Sequence, residues 1–206
     1  MNPRLLIAVF LAGLFAIGAA ALAIVGSRDD PPDVALEGFA GSRLPEGVRA
    51  PAFDLTDEQG ERVAMSEFRG RPVIVTFLYT NCDDTCPPAA QQVKGALNEL
   101  GEDVPALAVA VDPARDTPAS ARAFLSDQRM LGRMRFVLGT RAELAPVWRG
   151  YAIRPQEADA EHQARIVIVD GRGYQRVGFP IDQATPERIA HDVRLVAGRL
   201  PRAEAE

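Results

Sequence analysis

The chain is short of cysteine: among 206 residues only Cys82 and Cys86 carry thiols. Two are too few to staple a domain, which excludes a disulfide scaffold, and their close spacing points to redox or metal work instead. Basic charge is short as well. With 23 Lys and Arg against 28 Asp and Glu, the net charge is -5 and the pI near 5.2, which argues against a nucleic-acid binder because such a protein carries a basic stripe. No internal repeat is visible, and no cysteine closely follows the N-terminal apolar run, so a bacterial lipoprotein attachment site is absent. The 47% hydrophobic content nevertheless reads as globular, with enough apolar mass for a core.

One long hydrophobic run is present. Residues 5–25 (LLIAVFLAGLFAIGAAALAIV) are apolar throughout, with Arg4 before them and Arg28, Asp29 and Asp30 after. About 20 such residues cross a hydrocarbon core as a helix, whereas a secretory signal has an apolar region of about 7 to 15. The length favours a retained anchor over a cleaved signal, for which residues 19–23 offer a small-residue site. Arg4 then stays cytoplasmic and the rest of the chain is exported. The expected layout is a transmembrane helix over residues 1–25, a linker rich in Asp, Pro, Gly and Ser over 26–50, a domain over 51–200 and a tail over 201–206. In a bacterium this is a single-pass inner-membrane protein with its domain in the periplasm.

Within the domain, Asp57-Glu58-Gln59-Gly60 reads as a hairpin turn, and Ser66 as the cap of a brief turn just after it. Residues 73–78 (VIVTFL) read as a strand buried on both faces. Pro87 fits the first turn of a helix that Gly101 stops near Leu100. Further strands are expected over 107–111 and 135–138, with helices from Thr117-Pro118 to about Arg129 and over 141–150. Residues 164–169 and 174–178 flank Asp170-Gly171-Arg172-Gly173, a spacing that forces an antiparallel pair, and Thr185-Pro186 opens a last helix to about Leu200. Successive βαβ crossovers ending in a hairpin give an α/β sandwich with a mixed central sheet flanked by helices.

The thiols occupy the strand-to-helix junction 79–88 (YTNCDDTCPP). Partial positive charge at a helix N-terminus favours thiolate. Thiolates suit Cu(I) and imidazole suits both copper oxidation states, while the same cysteine spacing also permits a reversible disulfide. Zinc normally takes a fourth ligand, and none is obvious nearby.

Three segments, 77–87 (FLYTNCDDTCP), 111–118 (VDPARDTP) and Glu161-His162-Gln163 before a strand, together resemble the Sco/SenC family. That resemblance implies a thioredoxin-like fold and a membrane-anchored copper-binding chaperone that delivers copper during assembly of cytochrome c oxidase. It implies Cys82, Cys86 and His162 as copper ligands, with Cys82 and Cys86 also a redox pair. The implied partners are the copper-centre subunit of the oxidase and other copper chaperones or thioredoxin-like reductases. Asp83 stands where a proline commonly follows the first cysteine, and Glu161-His162-Gln163 where Asp-His-Ser is more usual. Asp83 accordingly reads as a carboxylate that disfavours a second thiolate.

Plainer readings stand beside these. Without the resemblance, His162 is a solvated loop residue; His191 is a surface residue of the last helix, and Met130, Met134 and Trp148 are core. Asp112 and Asp116 read first as loop and helix caps, with support of the metal site as the alternative. The arginines over 129–135 read as a solvated face. The competing function is a thiol-disulfide oxidoreductase that reduces the oxidase cysteines and does not need His162. A peroxidase of peroxiredoxin type is weaker, because there threonine and proline precede a single attacking cysteine.

Overall fold

The computed structural model describes residues 38–156 and 164–198. The apolar run 5–25 and His162 lie outside them, and among the described residues no helix is long and apolar enough to cross a membrane. Among the described residues there are eight strands: β1 Ser42–Arg43, β2 Asp54–Thr56, β3 Arg62–Ala64, β4 Val73–Leu78, β5 Ala106–Ala110, β6 Arg135–Val137, β7 Arg165–Val169 and β8 Gln175–Pro180. Four α-helices accompany them: α1 Cys86–Leu100, α2 Pro118–Asp127, α3 Arg141–Gly150 and α4 Pro186–Val196.

Six strands form one sheet in the order β1-β8-β7-β4-β5-β6. β4, β5 and β6 run parallel through the α1 and α2 crossovers, while β7, β8 and β1 join antiparallel. The mixed α/β sheet expected from the sequence is therefore present. β4 lies at its centre, buried along its whole length, because a strand with apolar side chains on both faces has none to give to water, and its one hydroxyl, on Thr76, is satisfied by Arg165 O at 3.1 Å. Helices start and stop where the sequence writes caps: Thr117, Thr140 and Thr185 each accept a hydrogen bond from the third residue of their helix, and Gly101 takes φ 66° to end α1.

Several local expectations change. The segment 38–50, assigned to the linker by composition, belongs in part to the fold. β1 pairs with β8, Leu44 N–H donates to Arg176 O at 2.9 Å, and Phe39 and Leu44 pack on the core. Its clamp is Asp192 on α4, fully buried, whose carboxylate accepts Ala40 N–H and Gly41 N–H at 2.8 Å each. Gly41 fits because a Cβ there would meet Val177 Cγ1 at 2.5 Å and the Phe179 ring at 2.6 Å. His191, expected at the surface, is only 20% exposed and hydrogen-bonds through Nδ1 to Asp192 at 2.8 Å.

The β2–β3 hairpin forms as expected, yet its turn carboxylates point inward. Asp57 pairs with Arg135 at 2.7 Å, and Glu58 Oε2 accepts Phe136 N–H at 2.8 Å, so the hairpin covers the exposed edge of β6. Arg135 is thus part of a charged joint rather than a solvated face. Ser66 lies inside the 3-10 turn Met65–Phe68; the residue that caps the turn is Glu67, which accepts Ala64 N–H at 2.7 Å. Met130, Met134 and Trp148 are core, in agreement with the sequence.

Asp192→Ala leaves the part-buried Ala40 and Gly41 N–H groups without their acceptor. It is expected to cost about 2–6 kcal/mol, at about 1–3 kcal/mol per orphaned donor, read as a lower midpoint in urea unfolding.

Candidate metal centre

β4 ends at Leu78 and the chain turns through residues 79–85 into α1, whose first residue is Cys86. Pro87 and Pro88 suit this first turn because its N–H groups have no helical partner. Thr85, the residue before the helix, makes no side-chain cap. The cap is supplied by sulfur: Cys82 Sγ accepts the Cys86 backbone N–H at 3.2 Å. The two cysteines therefore do not share a helical face. Cys82 sits in the preceding turn, with its sulfur drawn back over the helix N-terminus.

Both thiols are free and buried, Cys82 at 4% exposure and Cys86 at 0%. The Cys86 S–H donates to Cys82 and is the strongest influence on it; Thr85 Oγ1 at 3.5 Å, the Cys86 N–H and the Tyr79 hydroxyl add to this. Against the opposing effect of burial, these donors hold the Cys82 thiol down at about 5. Cys86 is pushed far up, first by donating its proton to Cys82 and then by burial. Tyr79 is pushed up by burial and by its hydrogen bond to Cys82. The pair is thus asymmetric: one thiolate with a thiol proton aimed at it.

The carboxylate that faces the sulfur is Asp84, not Asp83. Asp84 Oδ1 lies 3.4 Å from Cys82 Sγ and also accepts Thr85 N–H at 2.6 Å. It takes the S–H when Cys82 is protonated and repels the thiolate when it is not. Asp83 is exposed and lines a groove of about 580 Å³ beside Cys82, with Pro87, Arg115 and Phe124.

Asp116 braces the turn from behind. At 7% exposure, its carboxylate accepts Thr80 N–H at 2.7 Å and Asp112 N–H at 3.1 Å, tying the loop after β4 to the loop after β5. Burial pushes its carboxyl up to about 6. The helix cap expected of Asp116 or Thr117 falls to Thr117, and Asp112 instead pairs with Arg115. Trp148 Nε1–H donates to Ala110 O at 2.9 Å, closing the last carbonyl of β5 below the site.

The structure brings Cys82 and Cys86 together. It does not place His162, which lies outside the described residues, and among those residues no group of three His, Cys, Asp or Glu side chains is arranged to hold a metal ion. Sequence reasoning missed Tyr79, Asp84 and Thr85 as partners of the sulfur. Their only signal is position, within three residues of Cys82 and with a hydroxyl or carboxylate to offer.

Because the Cys82 value is lowered, its alkylation by iodoacetamide in the reduced protein is expected to fall off only as pH drops through about 5. An ordinary thiol loses reactivity near 8.5. Thr85→Ala removes a donor and moves that midpoint up, while Asp84→Asn removes a repelling charge and moves it down. Cys86 stays unmodified in the folded protein. A midpoint near 8 for Cys82, or reversed shifts in the two variants, contradicts the asymmetric pair.

Comparison with known proteins places this geometry. A family model described as SCO1/SenC matches residues 43–198. The SenC protein of Rhodobacter capsulatus is 29% identical over 154 residues, covering 68% of this chain and 67% of its own length. The chain spans 30%, 44% and 53% of the length of its relatives in Schizosaccharomyces pombe, Bos taurus and Homo sapiens. Among solved structures, ScoI of Bradyrhizobium japonicum with copper bound is 29% identical, with a TM-score of 0.61 over 72% of this chain and 99% of that one. BsSco, a member of the Sco family of cytochrome c oxidase assembly proteins with a disulfide switch, is 20% identical and shares the fold, with a TM-score of 0.66 over 76% of this chain and 98% of its own. The described residues carry one continuous hydrophobic core of their own, from Phe53 to Val193, as a domain that folds alone requires. The chain belongs to the SCO1/SenC family.

Proposed function

We propose that this protein is a membrane-anchored copper chaperone that binds copper through Cys82, Cys86 and His162 and delivers it to the copper-centre subunit of cytochrome c oxidase. The observation that carries this reading is the thiolate–thiol pair: two sulfurs in mutual contact at a helix N-terminus, with Cys82 held down at about 5. Soft sulfur donors in that state need lose only one proton to grip Cu(I), and an imidazole adds a donor suited to either oxidation state. The relative with copper bound supports the same cargo. Copper is the substrate here and not a resident cofactor. Transfer runs by ligand exchange: an incoming thiol or imidazole of the partner adds at the open position, then a protein ligand leaves. The apolar run 5–25 is the proposed anchor, which holds the domain outside the cytoplasm on the partner's side of a bacterial inner membrane.

The same pair also favours a second reading, reduction of a partner's disulfide. The Cys82 thiolate attacks one partner sulfur and releases the other as a thiol, forming a mixed disulfide. Cys86, once deprotonated, then attacks Cys82, releases the second partner thiol and leaves a Cys82–Cys86 disulfide. Two electrons pass to the partner, and fresh reductant restores the pair.

The deciding measurement is copper stoichiometry and Cu(II)–thiolate absorption of the reduced protein and of His162→Ala. The chaperone reading expects one copper per chain, with affinity at least about tenfold weaker in the variant and the absorption band altered, as loss of a ligand requires. Unchanged binding in His162→Ala sinks the three-ligand model, and loss of disulfide reduction in Cys86→Ala with unaltered copper delivery favours the reductase. The full chain is further expected to resist extraction from membranes by alkaline carbonate. Release by carbonate overturns the anchor.

A further inference from the structure

At the end of the sheet remote from the cysteines lies a cavity of about 320 Å³ lined by Arg43, Arg172, Arg176, Tyr174 and Glu46. The topology fixes the separation. Val73, the first residue of β4, pairs with Val169, and the turn to β8 comes directly after, so this cavity opens at the start of β4 while the thiols stand beyond its end. Six residues of strand set the two about 20 Å apart.

The cavity is basic in a chain whose net charge is -5. Arg49 stacks over the Tyr174 ring at 4.7 Å and Arg172 approaches the same ring at 5.8 Å. Arg69 reaches in to donate to Arg172 O, and Arg71 is exposed beside Gly70, whose N–H donates to Gly171 O at 2.9 Å. Two carboxylates oppose these six arginines. Asp170 is consumed by Arg176 at 3.2 Å and by the N–H groups of Arg172 and Tyr174, and Glu46 is exposed at the rim. Among the described residues no carboxylate lies within ion-pair distance of Arg43, Arg49 or Arg172. The cysteine end has the opposite sign, with Asp83, Asp84, Asp112 and Asp116 against Arg115.

We propose that this arginine cavity docks anionic phospholipid headgroups and so turns the cysteine end away from the bilayer. Guanidinium groups match phosphate oxygens in paired hydrogen bonds, and a tyrosine ring held between arginines suits the headgroup level of a membrane. The proposed anchor supplies the occasion, because a tethered domain meets headgroups at high effective concentration. The inference rests on that reading only for this local concentration. Docking is electrostatic and weakens with salt, since the attraction of each arginine to an anionic surface is screened beyond a Debye length.

The test is flotation of the domain lacking residues 1–37, which removes the anchor from the experiment. Vesicles are of phosphatidylcholine alone or with about 30% phosphatidylglycerol, at low and at high salt. Binding is expected only with phosphatidylglycerol at low salt. It should fall at least about tenfold in Arg43→Glu/Arg172→Glu and remain in Arg129→Glu/Arg133→Glu, which makes the same charge change near the other edge of the sheet. Equal loss in both variants, or no dependence on phosphatidylglycerol, overturns the proposal. So does displacement by inorganic phosphate at concentrations matching the headgroups, which assigns the cavity to a free anion, or binding of poly-glutamate without vesicles, which assigns it to an acidic protein segment. Release of the full chain by carbonate would count against the anchor alone and leave this assay unaffected.

Discussion

The burial of β4 on both faces is the constraint on which the rest of the molecule depends. Six consecutive apolar or methyl-bearing residues cannot sit at a sheet edge or under a single layer of helices, so the strand takes the centre, with β5 parallel on one side and β7 antiparallel on the other. Its carboxyl end then opens at the middle of one end of the sheet. The residues after Leu78 are presented there, on a turn backed by β5 and its loop.

In that turn stands a cysteine that works as a helix cap. In most helices an oxygen from Ser, Thr, Asp or Asn satisfies the first free N–H groups; here the sulfur of Cys82 accepts the N–H of Cys86. The same contact that completes the helix end brings the Cys86 S–H onto Cys82 and keeps the sulfur anionic. Stability of the turn and reactivity of the thiolate thus share one set of donors. Asp116 adds rigidity without touching the sulfur, by fixing the Thr80 and Asp112 amides. A metal ion bound here replaces protons as the partner of the sulfurs, and so competes directly with the forces that hold the turn.

Charge is distributed as unevenly as chemistry. Carboxylates gather at the cysteine end and arginines at the far end, and in between Asp57, Glu58 and Asp192 are buried as joints that hold a hairpin and the entering chain against the sheet. None of these three is visible as structural in the sequence. Asp57 and Glu58 look like solvated turn residues, and Asp192 looks like the polar face of an amphipathic helix. Glu58 and Asp192 are buried against distant backbone amides, those of Phe136, Ala40 and Gly41, and Asp57 against the distant Arg135 guanidinium. Segment 38–50 reads as linker for the same reason: two residues of edge strand carry no periodicity, and pairing with β8 defines them.

By itself the sequence determined the order of elements from the β2–β3 hairpin onward, the mixed sheet, the helix starts at Thr117 and Thr185, and the placing of Cys82 and Cys86 at a strand-to-helix junction. All of these are local, written in hydrophobic period, capping residues and spacing over a few positions. Only the tertiary structure decided that Asp84 rather than Asp83 faces the sulfur, that Tyr79 and Thr85 join Cys86 in holding the thiolate, and that Asp116 braces the turn. It alone gathered arginines from 43 to 176 into one basic end. These are contacts between side chains whose directions depend on a turn without repeating geometry, or on strands brought together across more than a hundred residues, and no local pattern encodes either.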